Sequence, residues 1–550
     1  MKKFFSWLDN NILTILTGFL IVMIPLYPKI PLAELIQGYI VRMRLEDLLV
    51  LGTFFVWIIQ LLRKKIQFPK NQITKFILIY LGVGLLSVLS AIYITQTVPL
   101  EKAHILKIWF HWFRRLEYFS LFFITYSAIK TKKDLALLIK VALITFIGVI
   151  LYGIGQKYFY FPAFSTMNRE FSKGVRLYLQ PNSRLLSTFG GHYDLAGYLM
   201  MLLAFSLPSA WLTKKNGLKI LFYTTSIISY WCLVLTTSRT SFIGFLVGIT
   251  VVAWLLRKIK GNIWSLKHWA VTMFFSFVIM FTFSNLLERF LQVLPNKDTR
   301  DKILEIQKIV NQPFVTEPSG SQTVAELPSL LSFIFRPSEL KPIVLTDSEK
   351  TQLDLVASSS DAPPKTVKPT STPNPDLPSD VTEESEENRK NTAEQAGLSY
   401  NGPSYSANAL KYGLSMAIRL DALWPQAIKG FERNPLLGTG YSTLVKTNVG
   451  EFTYAESTDN DYLRMLGETG ILGAISFLAI IYYVVKYALQ NLVASDGLAL
   501  ILKIGAIGAT VAMLVTATYI DIFESSKVAY VYWMIAAVVA YLYDNAKKTT

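Results

Sequence analysis

The stretches 410-LKYGLSMAIRLDALWPQAIKGFERNPLLGTGYSTL-444 and 456-ESTDNDYLRMLGETGILG-473 decide how this chain is read. The first is helix-like over 407–430, with Pro425 as an expected kink. It then turns through Asn434-Pro435…Gly438-Thr439-Gly440, a Pro/Gly punctuation that ends regular structure. The second runs from an acidic cluster, Asp459, Asn460 and Asp461, straight into an apolar run over 462–486. A run of about 18 or more apolar residues is long enough to cross a bilayer as a helix. The junction is therefore expected to be a polar loop entering a membrane helix, with charged side chains gathered just before the lipid.

Outward from this junction, about twelve such runs are found. They cover 11–27, 45–62, 74–94, 113–129, 135–155, 188–212, 218–236, 240–256, 269–287, 462–486, 499–519 and 526–544, and charges crowd the start of the fourth. The chain has 550 residues, is 52% hydrophobic and has a mean hydropathy of +0.37, which excludes an ordinary soluble protein. The expected fold is an all-α integral membrane protein of about 12 transmembrane helices. Met1–Asn10 reads as a short basic start to a full-length span, not as a cleavable signal.

Lys and Arg concentrate in alternate loops: Lys2-Lys3, Arg63 to Lys75, Lys130 to Lys133, Lys214 to Lys219, Arg257 to Lys267 and Lys547-Lys548. Basic loops stay cytoplasmic, so both termini are expected there. One large extracytoplasmic loop then lies between helices 9 and 10. The chain divides into a bundle of helices 1–9 (1–287), that loop (288–458) and helices 10–12 (459–550). Within the loop, 299–311 reads as an amphipathic helix. The Pro/Ser/Thr/Glu-rich segment 341–400 cannot bury enough surface to offset ordering and reads as a disordered linker. The net charge of +16 follows from the inside bias, so no nucleic-acid partner is expected. The one cysteine, Cys232, lies within a span and cannot form an internal disulfide.

The outer loops break the charge rule. Arg42 and Arg44 stand in 28–44. Lys102, Lys107, Arg114 and Arg115 stand in 95–115, and Lys157, Arg169, Lys173, Arg176 and Arg184 in 156–187. Positive charge on the wrong side implies an anionic ligand or lipid head groups. Arg184 and His192 flank Gly190-Gly191, where a helix enters the membrane. Arg184 could hold phosphate or snorkel, and His192 could shuttle a proton or pack. Arg239 sits in the hexad 236-TTSRTS-241 between two spans, at a depth where an ionisable group needs a cavity or a partner. A guanidinium suits a diphosphate because its planar fork donates two parallel hydrogen bonds. Arg419 is a second candidate of this kind. Asp459 and Asn460 are both good helix caps. Arg464 and Glu468 are four apart and can pair on one face, and Gly467, Gly470 and Gly473 allow close packing.

Several outer arginines with one carboxylate fit glycan transfer from a lipid diphosphate. The arginines would hold the diphosphate as it leaves, and Asp459 would accept the hydroxyl proton. The spacing of Glu456, Asp459 and Asp461 lacks a full ligand set, so no metal is expected.

The chain resembles the O-antigen ligase and O-antigen polymerase superfamily, bacterial membrane glycosyltransferases of the C-type fold class. The resemblance is carried by Arg184…Thr188-Phe189-Gly190…Leu195-Ala196-Gly197-Tyr198-Leu199 and Thr237-Ser238-Arg239-Thr240-Ser241. It continues in Arg419…Trp424…Ala427, Asn434-Pro435-Leu436-Leu437-Gly438-Thr439-Gly440 and Asp459-Asn460-Asp461-Tyr462-Leu463…Glu468-Thr469-Gly470. It implies a multi-pass protein of the bacterial inner membrane with a polyprenyl-diphosphate-linked glycan donor, a glycan or lipid-linked acceptor, and no cofactor. It implies Arg239 and Arg419 in handling the lipid diphosphate, and with Asp459 as the group that accepts the hydroxyl proton these are the candidate catalytic residues. Arg184, His192, Asn460, Arg464 and Glu468 are the candidate substrate-binding residues. Asp459 falls where ligases of the family typically carry a histidine, which fits a polymerase of surface polysaccharide repeats better than a ligase onto lipid A-core. The alternatives are a ligase acting on a lipid, wall polymer or protein, a small-solute transporter, and a non-catalytic assembly partner.

Overall fold

The computed structural model describes residues 2–283, 408 and 414–549, apart from residues 38, 40, 168–170, 181–182, 447, 455–456 and 496. The expected helix 299–311, the linker 341–400, Arg169 and Glu456 lie outside the described residues.

The described chain is mostly helical. The helices are α1 (Lys2–Leu26), α2 (Leu45–Leu62), α3 (Gln72–Tyr93), α4 (Lys102–Ala128), α5 (Lys132–Tyr158), α6 (His192–Leu212), α7 (Asn216–Leu235), α8 (Arg239–Lys260), α9 (Asn262–Phe283), α10 (Leu414–Ile418), α11 (Trp424–Arg433), α12 (Asp461–Leu489), α13 (Gly497–Thr516) and α14 (Ser526–Thr549). One antiparallel ribbon, β1 (Pro31–Ala33) with β2 (Met43–Arg44), closes the α1–α2 connection.

Eleven of these helices are long and apolar enough to cross a membrane. This agrees with the all-α, multi-pass expectation, and the remaining run of the twelve is also a long helix. The expected fourth span belongs to α4, a helix of 27 residues that is too charged to meet the same test. The region 95–115, expected as a basic outer loop, is correspondingly mostly helix: Lys102, Lys107, Arg114 and Arg115 lie on α4. Its charges survive inside the bundle because carboxylates meet them there. Arg114 pairs with Asp47 at 2.6 Å and Glu117 at 3.1 Å, and Arg115 with Glu524 at 2.5 Å.

Most helices bury one face and leave the other apolar and exposed, as expected of helices with one side in lipid. Helix α6 is the exception and is buried on nearly all sides. It packs with α8 and α13, which cross so closely that a Cβ on Gly248 would lie 2.6 Å from the Gly508 carbonyl oxygen. Small residues permit such approach where lipid offers no hydrophobic drive for association.

The connections sort to two ends. At one, Asp9 of α1 receives Arg63 at 2.7 Å as well as Lys65, and Asn71 donates to Asp544 at 3.1 Å. The Lys/Arg-rich connections lie at this end. The other end gathers the α1–α2 ribbon, the segment before α6, the 434–460 region and the α13–α14 connection around one cavity.

Candidate functional site

The start of α12 organises the site. Asn460 is its cap, and its Oδ1 accepts the Leu463 N–H at 3.0 Å. Asp459, the alternative cap, instead precedes the helix with a φ of +52°. Its carboxylate is thereby turned out of the helix start. Asp459 Oδ2 lies 2.8 Å from Arg419 Nη2, and Oδ1 accepts from Ser457 Oγ at 2.5 Å. Burial, the largest influence on this carboxyl, raises its pKa above the usual aspartate range, against the pull of Arg419.

Arg419 reaches this position through a local break in helical geometry. Residues Arg419–Leu423 form a π-helical turn in which the Trp424 N–H bonds to the Arg419 carbonyl. Pro425 follows directly and has no N–H to give, so the α-helical pattern cannot continue smoothly across it. The sequence kink expected at Pro425 is this turn. Arg419 is only 5% exposed, and its guanidinium stacks 3.9 Å from the centre of the Tyr519 ring.

Asp521, in the α13–α14 connection, fixes the loop that carries Asp459. It accepts the backbone N–H groups of Thr458 and Asn460 and the Arg464 Nη1, each at 2.9 Å. Arg464 also meets Glu468 at 3.3 Å, as the four-residue spacing predicts. Glu468 Oε1 accepts the Ser442 N–H at 2.9 Å, and Oε2 lies 3.6 Å from Arg115. Breaking a buried ion pair by removing one partner costs about 3–5 kcal/mol. Asp521→Asn is therefore expected to lower stability by about that amount, seen as a lower unfolding midpoint in detergent. A midpoint equal to wild type would show that Asp521 does not hold the loop.

Helix α12 is not continuous. Gly470 has φ +66° and ψ −168°, which breaks the helix. The freed backbone groups pair with the 434–440 turn: Thr439 and Gly440 N–H donate to the Gly467 and Glu468 carbonyls at 2.9 and 3.0 Å. Ile471 and Leu472 N–H donate to Pro435 and Leu436 at 2.8 and 3.3 Å. Buried backbone groups must find partners, and the Pro/Gly turn supplies them. The glycine spacing in α12, expected to serve helix packing, thus includes one glycine that ends a helix segment.

The cavity has a volume of about 1030 Å³. One wall is charged and includes Asp459, Arg464, Asp521 and Glu524. The other is apolar, from Leu51 and Phe55 of α2 and Phe113 of α4. These three are about half exposed, Phe55 at 55%, on helix faces of the kind that meet lipid.

The candidate residues do not all converge. Asp459 and Arg464 line the cavity. Arg419 and Glu468 stand behind them in direct contact, and Asn460 serves as the cap. Arg239, Arg184 and His192 are not among the described lining residues. Arg239 heads α8, half-buried. Arg184 Nη1 lies 2.8 Å from His192 Nε2. A guanidinium only donates, so that ring nitrogen is the acceptor. This pairing uses the nitrogen that a proton shuttle would need.

Several residues of the site went unremarked in the sequence: Lys29, Asp47, Asp521 and Glu524. Their signal was charge set at the edges of apolar runs, as in 521-DIFESSK-527. Fold and site together define a polytopic helical membrane protein with an amphipathic cavity at one end. Compared with known proteins, the chain matches no family model and no curated protein.

Proposed function

We propose that this protein is a membrane glycosyltransferase of the O-antigen ligase and polymerase superfamily. It moves a glycan from a polyprenyl-diphosphate carrier to a hydroxyl acceptor at the outer face of the bacterial inner membrane, polymerising surface polysaccharide repeats. The Lys/Arg-rich end of the bundle then faces the cytoplasm with both termini.

The observation that carries this reading is the cavity with one apolar, lipid-side wall and one charged wall bearing the Arg419–Asp459 pair. An isoprenoid chain fits the first wall and a glycosyl diphosphate the second. In the reaction the acceptor oxygen bonds to the anomeric carbon while the bond from that carbon to the diphosphate oxygen breaks. Asp459 takes the hydroxyl proton. Its charge is then lost, and Arg419 is released from the ion pair toward the departing diphosphate.

The break in α12 favours a second reading, a small-solute transporter, since discontinuous helices build many transporter sites. Against it, the 434–440 backbone fills this break.

The test is purified protein in nanodiscs, given only the polyprenyl-diphosphate-linked oligosaccharide of its host. A ladder of repeat multiples is expected. Product only on adding a lipid, wall-polymer or protein acceptor would replace polymerase by ligase. Unchanged donor under all these conditions would overturn glycosyl transfer.

The pH dependence follows from Asp459. A base works ionised, so the rate falls as pH drops through its pKa. Because that pKa is raised, the acid limb is expected above the range of an ordinary aspartate. Arg419 holds it down, so Arg419→Gln moves the limb to higher pH in whatever activity remains. A limb unmoved by this change, read from a pH–rate profile, would exclude Asp459 as the titrating group.

A further inference from the structure

A second charged cluster lines the same cavity away from Arg419. Lys29, from the α1–α2 connection, meets Ser526 and, at 3.6 Å, Glu46. Lys527 is spent on the backbone, donating to the carbonyls of Pro25, Tyr27 and Thr188 at 3.2, 2.6 and 2.8 Å. Arg44 differs from both. It is 93% buried by its 7% exposure and lines the cavity, yet its Nε has no hydrogen-bond partner among the described residues. Its backbone N–H, by contrast, is satisfied by Asp47 Oδ2 at 2.9 Å. A buried guanidinium nitrogen left without an acceptor is costly.

The start of α6 borders the same part of the cavity through Gly190 and Gly191. Gly191 is the cap of this 21-residue helix and no side chain caps it. Its first-turn N–H groups carry the positive end of the helix dipole. Asp194 in that first turn, Glu46 and Asp47 are the acidic groups nearby. Against these three carboxylates stand three cations, Lys29, Arg44 and Lys527.

We propose that Arg44, with Lys29 and the uncapped start of α6, seats the phosphoryl group of a lipid at a place separate from the Arg419–Asp459 pair. This deepens the glycosyltransferase reading, on which only the lipid's identity as the glycan carrier rests. Arg419 is occupied by Asp459 and Tyr519 in the resting protein. Arg44, unlike Arg419, lines the cavity itself, so its donor capacity meets the substrate as it arrives. The lipid's phosphate is then held first at Arg44, and Arg419 is engaged only as Asp459 takes its proton.

The experiment is binding of inorganic diphosphate, by calorimetry, to the full chain in phosphatidylcholine nanodiscs. Wild type is expected to bind saturably. Arg44→Gln is expected to weaken binding about 10- to 100-fold, the worth of a charged hydrogen bond, while Arg419→Gln binds nearly as wild type. Lys29→Gln should weaken it in the same direction and serves if Arg44→Gln does not fold, which ligand-free melting checks. Equal binding by wild type, Arg44→Gln and Lys29→Gln, or no saturable binding by wild type, would overturn the proposal. So would loss in Arg419→Gln alone. Phosphatidylglycerol nanodiscs separate the sources. Competition lost in Arg44→Gln assigns a phospholipid head group, and absence of competition assigns the carrier diphosphate; either supports the seat. Since the readout is binding, failure of glycan transfer and failure of this site are told apart.

Discussion

Asparagine in place of Asp459 is expected to reduce glycan transfer about 10²–10⁴-fold, the usual contribution of a positioned general base. Asparagine keeps the size of the side chain and can still accept from Ser457, which lies 2.5 Å from Oδ1. It cannot take a proton. It also leaves Arg419 without the carboxylate 2.8 Å away, so the guanidinium is no longer released by the reaction itself. Asp459→Asn and Arg419→Gln act on one unit, and the double variant should be little worse than either alone. The unfolding midpoint should fall, because the buried Arg419 loses its ion-pair partner, but by less than in Asp521→Asn, since the Asp459 side chain is 30% exposed. Near wild-type turnover in Asp459→Asn would remove this pair from the chemistry. A full product of the two single losses in the double variant would show that they act independently.

The largest effect on folding is expected from Gly470→Ala. The φ of +66° with ψ −168° lies in a region open essentially to glycine alone, and holding another residue there costs about 1–3 kcal/mol. Sterics add to this. A Cβ at Gly470 would lie 2.3 Å from both the carbonyl carbon and oxygen of Leu436. Those are backbone atoms of the turn that satisfies the broken helix, so neither side can give way without losing hydrogen bonds. The variant should be recovered poorly, with an unfolding midpoint far below wild type and a disturbed Arg464–Glu468 pair. Gly52→Ala is the control, since a Cβ there meets nothing within 4 Å. Equal midpoints for the two variants would mean that the break in α12 is not a fixed part of the fold.

The glycine at 470 shows where reading the chain by period reaches its limit. Residues 461–489 carry an apolar helical pattern throughout, so periodicity reports one helix. The Pro/Gly turn at 434–440 was legible as a turn, but nothing local says that its amides will fill a gap about thirty residues later. The same holds for charge. Arg114 and Arg115 stood out as cations where lipid or loop was expected, while their carboxylates were scattered among other segments.

By itself, then, the sequence determined the features set by neighbours along the chain. These are the places of the long helices, the Lys/Arg asymmetry, the Asn460 cap, the Arg464–Glu468 pair and the interruption at Pro425. Only the tertiary structure decided the rest. It joined Arg464 to Asp521, 57 residues away, and Arg115 to Glu524, 409 residues away. It left Arg239 off the cavity and, among the described residues, left Arg44 with an unpartnered nitrogen on it. The reason is physical. Helical period and hydropathy act over a few turns, whereas a buried charge is stable only beside a partner, and which partner it meets depends on how whole helices pack.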